Sequence, residues 1–284
     1  MVKNQNKLIR SLGLVALMAT GICSMLGASI NVVPFMIQRN VPGIGPYVLP
    51  AFMFAMVPAL FAALAYAILS SAMPRAGGSY IYASRGLNPY LGFIASFSQW
   101  FGLSIVIGVI AYICVSFIRD IVSGLGWLEI SLLLEFPVIR VGIALALIWV
   151  FVFINIQGAR SYERTLLPMM YLMFVLGCIV IVAGFYFDTN DFVNALKTKE
   201  DRSFEVTTII NFDWRIFLSA AALLFSSFIG FDSIAQAGSE AKNPSKTLPL
   251  AILLAIISVG CFYFLFTTAV YHTVPWSFIA EESK

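Results

Sequence analysis

Charge is scarce in this chain: 11% of its 284 residues are Asp, Glu, Lys or Arg, where soluble domains carry about 25%. So little polar surface cannot keep a protein exterior in water, which removes the soluble one- or two-domain architectures its length would suggest. Histidine is almost missing. His272 is the single one, which rules out a His-based metal site and leaves it as a helix-end polar residue beside Tyr271. The four cysteines (Cys23, Cys114, Cys178, Cys261) lie far apart in apolar stretches with no CxxC spacing. They read as small apolar packing residues with neither a disulfide nor a metal role. The net charge is only +3 and no basic run occurs, so no nucleic-acid partner is expected. No phosphate loop is present either: Ala76-Gly77-Gly78-Ser79 lacks the GxxxxGK(S/T) pattern, and a tight turn explains its glycines. No cofactor is expected.

What the chain does contain is apolar sequence, 60% of residues, with a mean hydropathy of +0.92. Lys3, Lys7 and Arg10 precede an apolar run that continues to about Ile37. That is too long for the 7–15-residue core of a signal peptide. Ile22 before Cys23 also lacks the small residue of a lipoprotein cleavage site. Candidate membrane spans, each of about 20 mostly apolar residues, fall at 12–37, 46–72, 90–118, 138–157, 165–187, 214–237 and 248–272. The spacing predicts an all-α membrane protein of seven transmembrane helices in one domain, with the lipid bilayer as its partner. The stretch 188–213 is charged and reads as an extracellular loop. Short loops on the N-terminal side carry Arg75, Arg85, Arg160, Arg164, Lys242 and Lys246 against only Glu163 and Glu240. With Lys3, Lys7 and Arg10 this places the N-terminus in the cytoplasm.

Two of these spans are poor ordinary helices. The first has Gly21, Ser24, Gly27 and Ser29 near its middle, then Asn31 and Pro34. The sixth reads Phe225-Ser226-Ser227-Phe228-Ile229-Gly230-Phe231-Asp232, a glycine and a carboxylate near mid-membrane. A carboxylate there costs at least about 2.5–3.5 kcal/mol on insertion scales, and is tolerated where the helix breaks and its freed backbone lines a cavity. Close helix packing by small residues is the competing reading for the first span. Packing gives no reason to bury Asp232. A pair of interrupted spans heading two halves is a pointer to a transporter binding site.

Three stretches resemble the amino acid–polyamine–organocation (APC) superfamily of permeases. They are Gly21 to Pro34 (GICSMLGASINVVP), Pro74 to Arg85 (PRAGGSYIYASR) with Leu87-Asn88-Pro89, and Phe228 to Pro249 (FIGFDSIAQAGSEAKNPSKTLP). They are similar to that group's broken first helix, its loop between helices 2 and 3, and its broken helix 6 with the loop into helix 7. The resemblance implies an inverted-repeat fold of five plus five helices, with the first repeat at about 12–187 and the second beginning at 214–272. It further implies secondary active transport of an amino acid across the cytoplasmic membrane, by symport or antiport. The substrate carboxylate would meet the N–H groups of Gly27, Ala28 and Ser29. Its amine would meet the carbonyls of Met25, Ser226, Ser227 and Ile229. Gly230 would permit the second break, Asp232 would be the coupling group, and Phe225 or Phe228 would replace the aromatic gate missing at Ser226.

The chain departs from the pattern at several points. Ser29 and Cys23 stand where glycines are common, and residues 165–187 contain no lysine of the kind some proton-coupled members carry. Coupling to H+, to Na+ or to a counter-substrate therefore stays open. The chain ends after the seventh span, so helices 8–10 are expected to be missing, as in a fragment or a truncated gene product. A non-transporting membrane scaffold or subunit is the alternative function, and a polyamine or organocation substrate the alternative to an amino acid. No Arg or Lys sits near the middle of a span and only Asp232 could pair a basic side chain, which favours a neutral amino acid, with cationic amino acids or polyamines behind it. A seven-helix receptor is disfavoured by the basic N-terminus, and a retinal protein by the absence of lysine in 248–272. An intramembrane enzyme lacks a catalytic base within the membrane.

Overall fold

The computed structural model describes residues 11–27, 29–202, 204 and 211–282. Lys3, Lys7, Arg10 and Ala28 lie outside these, and Ser29 is placed by its backbone alone. In chain order the helices are α1 (Leu14–Leu26), α2 (Ser29–Asn40), α3 (Val48–Ala72), α4 (Ser79–Gly86), α5 (Pro89–Gly124), α6 (Leu128–Leu133) and α7 (Pro137–Ile156). They continue with α8 (Ala159–Tyr186), α9 (Thr189–Glu200), α10 (Trp214–Phe225), α11 (Asp232–Gln236), α12 (Pro244–Thr273) and α13 (Trp276–Glu282). Among the described residues the only extended pairing is a single bridge between Leu12 and Ala241. Six helical stretches among the described residues are long and apolar enough to cross a membrane: 45–72, 89–124, 137–156, 159–186, 214–239 and 244–273. The first apolar stretch, expected as a span over 12–37, is shared between α1 and α2. Neither reaches the length of a crossing alone.

Starts of helices follow local chemistry. Pro89, Pro137 and Pro244 each sit in a first turn, where a missing N–H costs nothing. Asn88 caps α5 by accepting the Leu91 N–H at 2.8 Å. The charged stretch read as a loop carries α9. Asp188 and Asp191 close a capping box at its start, and Lys197 and Lys199 occupy its last turn, a charge order that complements the helix dipole. The Asp191 N–H also holds the Asp188 carboxyl below the usual carboxylate range.

The chain divides into two compact units, Met1–Gly78 with Leu166–Lys284, and Ser79–Thr165. In the second unit α5 packs on α6 and α7 through Ala111, Val115, Leu134 and Ala144. Arg140 is held there over the Tyr112 ring at 3.8 Å and against Ser116. Most large apolar side chains of α5 and α7 are exposed, as suits helices solvated by lipid.

The first unit is built around α12, which packs on α3 and α1. Alanines recur every fourth residue along α3, at 51, 55, 59, 63 and 67, all at most 5% exposed. That small stripe admits the buried face of α12, from Leu248 through Ala255 and Val259 to Tyr263. Lipid offers no hydrophobic drive between helices, so close backbone approach by small residues has to supply the packing. Gly177 and Gly184 of α8 do the same against α12. A Cβ at Gly177 would strike the Phe262 ring, and one at Gly184 would lie 2.5 Å from the Ala269 carbonyl oxygen.

At one end of this unit the second and third sequence motifs meet the segment before α1. Leu12 exchanges backbone hydrogen bonds with Glu240 (3.0 Å) and Lys242 (2.9 Å). The Arg75 carbonyl lies so close to Gly238 that a Cβ there would sit 2.8 Å away. Gly78, at φ 41°, packs beside Ala235 and Gln236. At the other end His272 Nδ1 and the Thr273 hydroxyl both reach the Gly184 carbonyl, at 2.9 and 2.8 Å. They thereby satisfy carbonyls that the end of α8 leaves free.

Gly184→Ala places a methyl group on backbone that cannot move aside. It is expected to lower stability by about 1–3 kcal/mol, read as an earlier thermal unfolding midpoint in detergent. An unchanged midpoint would contradict the close α8–α12 contact.

Candidate functional site

The first apolar stretch stops being helical at Gly27, whose φ of 42° and ψ of −150° are open to glycine and strained for other residues. In the sixth stretch α10 ends at Phe225, a 3-10 turn covers Ser226–Phe228, and Ile229 turns extended at ψ 130°. Gly230 follows at φ 137°, before α11 begins at Asp232. The two irregular points meet. A Cβ on Gly230 would lie 2.9 Å from the Ser24 carbonyl carbon and Cβ, and 3.1 Å from the Met25 nitrogen. Gly230 is therefore required twice, by its backbone angle and by the main chain of α1 against it. Gly21, one turn back, faces Ile234 so closely that a Cβ would collide with it.

Hydroxyl groups line the same junction. Ser24 Oγ donates to the Thr20 carbonyl at 2.8 Å and Ser233 Oγ to the Gly230 carbonyl at 2.6 Å, with the two oxygens 3.2 Å apart. Behind the junction stands an aromatic block. Phe52 stacks on Tyr263 with centroids 5.3 Å apart, and Phe228 meets both edge-on at 6.4 and 6.1 Å. Tyr263 donates its buried hydroxyl to the Met25 carbonyl at 3.1 Å. Eight residues on, along the same face of α12, Tyr271 donates to the Pro34 carbonyl at 2.7 Å. Two tyrosines thus hold carbonyls on either side of the Gly27 interruption.

The expected site residues are distributed as follows. Met25, Gly27, Ser227, Phe228, Gly230 and Asp232 all lie at or next to this junction. The Met25 carbonyl accepts the Tyr263 hydroxyl. Phe228 is 1% exposed, a wall residue of the aromatic block, while Phe225 is half-buried at the end of α10. Ile229 is exposed, and the Ser226 carbonyl accepts its N–H at 3.1 Å. Asp232 is half-buried in the first turn of α11. Among the described residues no group of His, Cys, Asp and Glu is placed to hold a metal ion. Sequence reasoning missed Tyr263, Phe52 and Ser233. The eight-residue spacing of Tyr263 and Tyr271 was a signal of one helical face, but nothing in it said that the face meets α1 and α2.

An all-helical chain with an apolar exterior and six membrane-length helices is a multi-pass membrane protein. The chain matches the amino acid permease family over residues 12–284 and belongs to it, within the APC superfamily. It is similar to cationic amino acid transporter 4 of Mus musculus, at 26% identity over 290 residues, covering 98% of this chain and 43% of the relative. The chloroplastic cationic amino acid transporter 9 of Arabidopsis thaliana is 26% identical over 297 residues, covering 98% and 48%. A cadaverine/lysine antiporter of Escherichia coli (strain K12) is 26% identical over 281 residues, covering 95% and 56%. The chain spans about half the length of the curated relatives it matches.

Tyr263→Phe keeps the ring stack and removes the bond to Met25. The expected loss is about 1 kcal/mol in thermal stability, with faster amide exchange confined to the end of α1. Exchange that quickens evenly along the chain, or not at all, would show that Tyr263 does not hold that end.

Proposed function

We propose that this chain serves secondary active transport of amino acids across the cytoplasmic membrane, with substrate held where the first and sixth spans are interrupted. The supporting observation is the direct abutment of Gly230 on Ser24 and Met25. It brings together two stretches of backbone that the sequence places about 200 residues apart. In this reading the fold is a five-plus-five inverted repeat, the N-terminus is cytoplasmic, and alternating access rocks one repeat against the other. The substrate carboxylate would lie at the positive end of α2, against the N–H groups of Gly27, Ala28 and Ser29. The carbonyls of Met25, Ser226, Ser227 and Ile229 face the amine.

The relatives shift the substrate toward amine-rich solutes. Two are named for cationic amino acids and one for cadaverine and lysine. Asp232, the carboxylate at the junction, is the group that would answer a second positive charge or a coupling proton. Cationic amino acids are thus favoured over neutral ones, with diamines as the second class.

Binding of an amino-acid panel to the purified chain, followed by thermal shift in detergent, tests the reading. A ligand-specific rise is expected with lysine-like compounds, and Gly230→Leu should erase it while membrane insertion stays normal. Retention of the shift by Gly230→Leu would place the site elsewhere. Asp232→Asn should flatten the pH dependence of binding. A profile identical to the parent's would remove Asp232 from coupling.

A further inference from the structure

Charge at one end of the second unit is unevenly partnered. Arg119, near the end of α5, pairs with Asp120 at 2.7 Å and with Glu135 at 3.4 Å, so one cation engages both carboxylates. Arg140 of α7 has no such partner. Among the described residues no carboxylate lies within ion-pair distance of its guanidinium, Glu129 of α6 included. Its contacts are the Ser116 hydroxyl, to which Nη2 donates, and the face of the Tyr112 ring, 3.8 Å from the guanidinium carbon. Both partners are uncharged, and Nε is buried with no acceptor. A guanidinium carries donors on every nitrogen, so most of its hydrogen-bonding capacity is left over.

The place of Arg140 in the bilayer decides what can take that capacity. The helix α7 has 20 residues, about 30 Å at 1.5 Å per residue, which is the thickness of the hydrocarbon layer. Arg140 follows its first residue, Pro137, by a single turn and so lies just inside one edge of the layer, level with lipid headgroups. Phe136, Val138 and Val141 around it are exposed and offer apolar surface to acyl chains. An arginine at such a depth ordinarily trails its charge into the interface. Here the ring and Ser116 hold it against α5, which keeps the fork in one place.

We propose that Arg140, fixed on Tyr112 and Ser116, binds the phosphate of an anionic phospholipid at this edge of the bilayer. Phosphate oxygens match the guanidinium fork in pairs, and their charge answers the one that the protein leaves unanswered. A zwitterionic lipid binds less well, because its own ammonium offsets the phosphate. The site lies wholly within the second unit and does not draw on the substrate reading.

The test is native mass spectrometry of the purified chain in detergent, titrated with phosphatidylglycerol, phosphatidylcholine or inorganic phosphate. The parent should hold phosphatidylglycerol about tenfold more tightly than phosphatidylcholine, and Arg140→Gln should remove that advantage. Arg119→Gln, which deletes an equal charge at the same end, should cost markedly less. Circular dichroism checks that each variant keeps its helices. If Arg140→Gln does not fold, Arg140→Lys decides, since it keeps the charge and loses the fork. Parental phosphatidylglycerol affinity in the folded variant overturns the site. Equal losses in Arg140→Gln and Arg119→Gln overturn it too, because they reveal only a general effect of charge. Binding of inorganic phosphate that depends on Arg140, with no preference between the two lipids, would assign the site to a free anion and overturn the lipid.

Discussion

In a bilayer every backbone N–H and C=O needs a partner within the protein, because no water is available to take its place. An unbroken helix meets that demand by itself. An interrupted one does not, and the arrangement of the first unit follows from where its interruptions find partners. The end of α1 gives its Met25 carbonyl to Tyr263, α2 gives its Pro34 carbonyl to Tyr271, and Gly230 lays bare main chain against Ser24 and Met25. Each of these needs α12 or α11 at one fixed distance from α1. The alanine stripe of α3 and the glycines of α8 set that distance by letting α12 come close.

The same demand underlies the proposed binding role of the junction. Backbone groups freed at a break remain costly until they are bonded, so a small solute carrying a carboxylate and an amine is a natural partner for them. The aromatic block of Phe52, Phe228 and Tyr263 closes the back of the junction, while Ser24, Ile229 and Asp232 face its open side.

Much of this was legible in the residues. Gly27, Gly230 and Asp232 stood out because glycine clustered with polar residues, or with a carboxylate, in those two spans. The long apolar runs pointed to seven spans, and among the described residues six helical stretches of membrane length lie within about six residues of those bounds. The stretch 188–213 was misjudged in one respect, since its charge concealed a capped helix. Asp188, Asp191, Lys197 and Lys199 are helix-end signals as well as loop-like charges, and composition alone does not separate the two uses.

Composition and periodicity by themselves determined the solvent this protein requires, the number of apolar segments and the two points where helices are hard to continue. These are local matters, settled by hydropathy, by the backbone angles glycine permits and by the cost of a buried carboxylate. Only the tertiary structure decided that the two weak points touch, that Tyr263 takes a lone pair of Met25, and that Ser24 faces Ser233. Such pairings join residues about 200 positions apart or more. They depend on which small-residue faces let helices approach, a property of packed surfaces that no single segment contains.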